Sequence, residues 1–321
     1  MNARIFTAAT IVALSCSALP AKAADSRLLK LVMPDAKVIA GVNVTQAKIS
    51  PFGQYVLSQI APQDQELQKL STQVGFDPRN DVNELLVAST GPQAGKVQSG
   101  LVMALGNFNI SSIVSAATAA GAKTETYNKV TILEDPNLTS GIAFLNSNVV
   151  VLGDMANVKA AIDRKDSPSV LPASLITQVT RWSGQEDAWL VSILPPASLA
   201  LPPGAPQVST LTNQTAFQAV QQVAGGVKFG ETVAVDAEAQ TDTPDNAKSI
   251  QGVLQLLANM AALQTSQSPQ AASLLKSLVV NASGVFVTVR MSLPTEQIQQ
   301  LVQHAKPAAT AAPARRPARR M

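Results

Sequence analysis

The chain has 321 residues, one cysteine, one histidine, two Trp, two Tyr and eight Phe. That inventory leaves no material for a disulfide framework, a multi-histidine zinc site, or a Ser-His-Asp or Cys-His arrangement built on a buried histidine. So few aromatics also argue against a carbohydrate platform or a base-stacking nucleic-acid surface.

The formal charge of +3 is segregated along the chain. Arg4 and Lys22 lie at the start, and Lys306, Arg315, Arg316, Arg319 and Arg320 at the end. Without those seven, 17 of the 24 basic residues face all 21 acidic ones, so Ala24 to His304 carries about −4. The first 23 residues, "MNARIFTAATIVALSCSALPAKA", place Arg4 before an apolar run from Ile5 to Leu14 and end on small residues around Lys22. That order predicts a secretory signal peptide cleaved after Ala23, its apolar run too short to span a bilayer. Cleavage there removes Cys16 and with it thiolate chemistry. The alternative is acylation at Cys16, since "ALSC" resembles a lipoprotein box with Ala13 where Leu is usual. No later stretch has about 20 uninterrupted apolar residues, and the length suggests about two domains.

After the signal, "AKVIAGVNV" reads as a buried β-branched strand. "SPFGQYVLSQI" reads as a helix with Ser50 as its cap and Pro51 in its first turn. "QDQELQKLSTQVG" predicts a second helix, and "NELLVAST" and "SGLVMALGNF" two strands joined by "GPQAGKVQ". "NISSIVSAATAAGA" reads as a helix, "TETYNKVTILED" and "GIAFLNSNVVVLGD" as hairpins with Asn at their centres, and "MANVKAAIDRK" as a closing amphipathic helix. These make a first half, 24–165. A linker is expected over 166–186, beginning "DSPSVLPASL".

The second half, 187–304, opens with the strand "DAWLVSILPP" and the helix "LTNQTAFQAVQQV", followed by "GGVKFGETVAVDAEAQT" as a hairpin or one bent strand. Helices "PDNAKSIQGVLQLLANMAALQ" and "SPQAASLLKSL", the paired strands "VVNASGVFVTVRMSL" and the helix "TEQIQQLVQHA" complete it. Both halves thus read strand, helix, strand, strand, helix, strand. The order predicts an α+β fold of two tandem ferredoxin-like, split βαβ halves, with antiparallel sheets and helices packed on one face. Residues 305–321 form a Pro/Ala/Arg tail unable to bury a core and expected to be disordered. Its functional reading is weak attraction to anionic surfaces through Arg315, Arg316, Arg319 and Arg320.

Motifs that carry chemistry are few. Asp242 and Asp245, around Pro244, read as helix cap and first-turn charge rather than metal ligands. "DPRNDVNE" has Arg79 and Val82 where a calcium loop needs an oxygen ligand and Gly, and so reads as a turn. Ser273 and Lys276 match Ser-x-x-Lys without its partner motifs. The Gly225–Gly226 pair precedes a strand, where a phosphate loop precedes a helix. His304 is expected to face solvent on the last helix. Asn-x-Ser/Thr triplets at Asn43, Asn109, Asn137, Asn213 and Asn281 read as chance composition. No catalytic, cofactor-binding or metal residue is assigned, and no cofactor is implied.

The stretches "AKVIAGVNVTQAKISPFGQYVL", "SGLVMALGNFN", "GIAFLNSNVVVLGDMANVKAAID" and "SGVFVTVRMSLPTEQI" resemble a loosely defined set of uncharacterised exported bacterial proteins. The resemblance covers most of the mature chain; it implies export and the tandem α+β build, and brings no activity. The expectation is a non-enzymatic, exported binding or scaffolding module of the bacterial envelope, periplasmic or secreted, with an envelope protein or lipid as its partner. The alternative is a carrier of an apolar ligand such as a lipid, between sheet and helices. A hydrolytic enzyme would need a close buried pair among Glu125, Glu134, Asp135, Asp154, Asp236 and Glu238.

Overall fold

The computed structural model describes residues 23–60, 76–91, 99–134, 139–194, 215–264 and 269–305. The signal segment up to residue 22, the helix expected over 63–75, Asp135 and the arginine tail lie outside the described residues. Within them run strands β1 Val38–Asn43, β2 Val82–Ser89, β3 Gly100–Gly106, β4 Lys123–Tyr127, β5 Val130–Glu134 and β6 Ser140–Asn146. β7 Val149–Asp154, β8 Ala188–Ser192, β9 Val220–Lys228, β10 Thr232–Thr241, β11 Val279–Ser283 and β12 Phe286–Pro294 follow. The helices are α1 Ser26–Leu29, α2 Val44–Ile49, α3 Pro51–Ile60, α4 Pro78–Asp81, α5 Ile110–Ala119 and α6 Met155–Arg164. α7 Ala173–Gln185, α8 Thr215–Gln218, α9 Pro244–Gln264, α10 Pro269–Ser277 and α11 Thr295–Ala305 complete the set.

Local chemistry sets many of these boundaries. Asn128 and Lys129 both take positive φ, 46° and 65°, as a two-residue hairpin turn requires. Asn43, Asn109 and Asp154 each accept a hydrogen bond from the third residue beyond, capping α2, α5 and α6. At the start of α9 the Thr243 hydroxyl receives the Asn246 amide at 3.3 Å, while Asp242 accepts from the Asn246 side chain. The polar junction before Pro244 is therefore a helix start, with Thr243 rather than Asp242 as its cap. α4 is one helical turn leading into β2, its Asp77 cap bonded to the amide and side chain of Arg79.

The twelve strands form one antiparallel sheet in the order β11-β12-β10-β9-β8-β1-β2-β3-β7-β6-β5-β4. Outward from the β1·β8 pair the order runs β2, β3, β7, β6 on one side and β9, β10, β12, β11 on the other. The β4–β5 hairpin extends the first side only. The fold is α+β with a large antiparallel sheet.

The main core lies on one face of the sheet. Ile39, Leu86, Met103, Val151, Ile132, Val191 and Ala224 line it from five strands of the first half and two of the second, counting outward from β1·β8. α1, α6 and α7 cover this face through Leu28, Ile162, Val179 and Trp182. On the opposite face, α5 packs Ile113 over Leu85, Ala104 and Val150, and α9 packs Ala247 and Ile250 over Val287 and Val289. Helices therefore cover both faces, not one. The strands explain it: Leu85–Leu86, Met103–Ala104 and Val150–Val151 put apolar neighbours on opposite sides, so each face needs a cover.

Two further expectations are corrected. The segment 166–186, read as a linker, carries α7, whose Leu175, Val179 and Trp182 are buried at helical spacing in the main core. The helix read over "LTNQTAFQAVQQV" is limited to α8 in its described part, and Val220 onward is β9, paired with both β8 and β10. Ladder partners on either side outweigh the local helical pattern there.

At the central seam Gly41 lies opposite Trp189, and a side-chain carbon built on Gly41 would meet the indole at 2.6 Å. Gly41→Val is expected to cost about 1–3 kcal/mol by overpacking. An unchanged urea midpoint would remove Trp189 from that place.

Candidate functional site

Among the described residues, two concave features carry chemistry. The first is a cleft of about 550 Å³ between α9, α10 and β11, lined by both apolar and polar side chains. Gln255, Ala258, Asn259 and Ala262 recur at helical spacing along the α9 wall, with Leu275 and Lys276 from α10 opposite and Val280 of β11 beside them. The two alanines leave the room that larger residues would fill. β11 is an edge strand, and its Val280 carbonyl accepts from the side-chain amide of Gln251 at 3.1 Å. One residue on, about 100° around the helix, Leu256, Met260 and Leu263 form an outer stripe exposed by 59%, 51% and 83%. α9 is thus apolar both toward the sheet and toward solvent.

The second is a charged groove of about 340 Å³ between the end of α7 and strands β10 and β12. Its rise from sequence is local. α7 ends at Gln185, and Glu186 and Asp187 pass into β8 in extended backbone pointing to opposite faces. Asp187 is buried and accepts from Lys228 Nζ at 3.0 Å and the Phe229 amide at 2.7 Å. Glu186 turns to the other side, where Gly226 makes room: a side-chain carbon on Gly226 would lie 2.5 Å from Glu186 Cβ. A glycine in a strand interior often marks such a close approach.

Across the groove Arg181 forks onto both carboxylate oxygens of Glu238, at 2.8 and 2.9 Å. Arg290 meets its cross-strand partner Asp236 at 2.9 Å. Glu186, only 6% exposed, has no such partner, and its Oε2 is buried without a hydrogen bond among the described residues. Trp182, on the same wall, has its indole N–H in the same condition. Burial first, and then the Asp236 carboxylate, push the Glu186 carboxyl up to about 7 against the pull of Lys228.

Of the other acids singled out in the sequence, Glu125 and Glu134 are side-chain neighbours across β4 and β5, neither of them buried. Glu125 pairs with Lys159 at 2.8 Å, whose hydrogen bond holds its carboxyl below the ordinary range. Asp154 is the α6 cap and binds Ser99 and Asn157. Among the described residues, Asp236 and Glu238 share the charged groove, and each is tied to an arginine. Glu186, which no motif marked, joins them there. Gly225 and Gly226 lie inside β9 and not in a phosphate loop. Ser273 and Lys276 lie on α10, where Lys276 borders the cleft. Among the described residues, no three acidic, histidine or cysteine side chains come together to hold a metal ion, and no helix is long and apolar enough to cross a membrane.

This architecture, helices on both faces of one broad antiparallel sheet, has solved counterparts. Crystal form III of TP0453 is similar over 88% of this chain and 98% of its own, at 11% identity and a TM-score of 0.55. Crystal form IV of the same protein matches over 85% and 95%, at 10% identity and a TM-score of 0.54. At such identity the likeness is one of fold. No protein-family model and no curated protein matches the chain.

Proposed function

We propose that this chain is a non-enzymatic binding module of the bacterial envelope, seating an apolar or amphiphilic molecule such as a lipid between α9, α10 and β11. The observation that carries the reading is the cleft itself: about 550 Å³ with Ala, Leu and Val walls interrupted by Gln255 and Asn259, and Lys276 at its border to meet an acidic headgroup. The exposed Leu256, Met260 and Leu263 stripe beside it supports the same reading, since an apolar surface of this kind marks contact with another molecule. The envelope location, periplasmic or secreted, rests on the signal-peptide pattern of residues 1–23. The matching strand orders on either side of β1·β8 support reading 24–165 and 187–304 as two copies of one α+β unit, each an antiparallel run without the parallel neighbours of a split βαβ.

Purified from its native envelope fraction, the protein is expected to carry extractable lipid detectable by mass spectrometry. Ala258→Trp, which fills the cleft from α9, should lower the retained lipid about tenfold, equivalent to about 1.4 kcal/mol, with the far-ultraviolet circular dichroism unchanged. Equal lipid in both proteins, or none in the wild type, would overturn the reading.

A further inference from the structure

The groove beside α7 is separate from the cleft, lined by different elements. Its walls hold three carboxyl groups, Glu186, Asp236 and Glu238, against two guanidinium groups, Arg181 and Arg290. Both guanidinium groups are committed, Arg181 to two oxygens of Glu238 and Arg290 to Asp236. An incoming anion therefore finds its cations already taken. Glu186 is left as the unmatched group, more than nine-tenths buried, with an oxygen that no described protein donor reaches. A buried polar atom without a partner costs free energy that a ligand supplying a donor recovers. One positive charge would also balance the three carboxylates.

We infer that this groove is a second binding site, for a small organic cation that presents a guanidinium or primary ammonium group to Glu186. Trp182 lies on the same wall, its ring already faced by the Arg181 guanidinium at 5.2 Å. The charged groups around Glu186 are Arg181 from α7, Asp236 and Glu238 from β10 and Arg290 from β12 in the groove, with Lys228 from β9 and the adjacent Asp187 near enough to act on its charge. Burial and Asp236 keep Glu186 protonated up to about pH 7. The cation must displace that proton, so binding strengthens as pH rises through neutrality. The arginines of the chain's own tail carry the same chemistry as a free ligand.

The test is calorimetric titration of the full chain with n-butylguanidinium chloride at pH 8 and pH 5.5, at one ionic strength. Wild type is expected to bind at pH 8 and to weaken about tenfold or more at pH 5.5. Glu186→Gln, which keeps the shape and removes the charge, should weaken binding about tenfold at pH 8 and flatten the pH dependence. A variant with Arg315, Arg316, Arg319 and Arg320 replaced by Ser separates the two sources. Binding seen only in that variant, and lost on adding Glu186→Gln, assigns the groove to the chain's own tail. Equal binding by wild type and Glu186→Gln at pH 8 overturns the inference. So does the absence of millimolar binding in both the wild type and the tail variant.

Discussion

Replacing Trp189 by alanine is expected to lower stability by about 3–5 kcal/mol, in a single unfolding transition that carries both halves with it. Trp189 is buried on β8, one of the two strands that meet at the centre of the sheet. Its ring lies over Gly41 of β1, so truncation opens a void that glycine cannot refill. The core it belongs to runs without interruption from Leu28 and Leu86 to Val191 and Ala224. Two halves that share one core lose stability together. Urea unfolding followed by far-ultraviolet circular dichroism is the measurement. Two separated transitions, with only the second half weakened, would show that the seam does not couple them.

A second large effect concerns Glu186. Its carboxyl titrates near 7 in the folded chain against 4.5 when unperturbed. Between those values the folded protein holds a proton that the unfolded chain has released, so raising the pH favours unfolding. The stability associated with the neutral carboxyl is complete below about pH 4.5 and is lost by the time pH passes 7, a difference of about 3 kcal/mol. Glu186→Gln keeps the side chain neutral throughout. It is expected to match wild type at pH 4 and to exceed it by up to about 3 kcal/mol at pH 8. Urea midpoints at the two pH values decide the matter, and a gap that is constant or widens toward acid would refute it.

Much of the fold was legible because its signals are local. The Asn-centred hairpin at Asn128–Lys129, the caps at Ser50 and Asn109, and the long helix after Pro244 stand where alternation, turn chemistry and capping place them. What escaped local reading was set by distant partners. α7 begins within a Ser- and Pro-rich stretch that looks like a linker, and its helical face makes sense only against β8 and β9. β9 carries Gln221 and Gln222 in a helix-like pattern, yet lies between two strands that satisfy its backbone. The joining of both halves into one sheet depends on β1 finding β8, and nothing near either strand announces the other.

The candidate sites divide in the same way. The cleft follows from small residues along α9, visible as "LLANMAALQ" but meaningful only once α10 lies opposite. Glu186 carried no motif: a Glu-Asp pair after a helix reads as a turn. The signal that could have pointed to it was remote, the Gly225–Gly226 pair in a strand interior, where close approach of another group is one standing reason for glycine.

The seam has a consequence for a chain that is still being made. β1 is complete once Asn43 has been synthesised, and β2 can pair with it soon after, but Ser192, the partner of Val38, arrives only when more than half of the protein exists. Throughout that interval β1 offers a row of unpaired amides and carbonyls along one side, next to the apolar surface that Trp189 will cover. A second nascent copy presents the same edge, and antiparallel pairing lets the two edges satisfy each other. The hazard of this architecture is therefore a premature dimer through β1. The emergence of β8 ends it, and the speed of synthesis between Asn43 and Ser192 sets how long the hazard lasts.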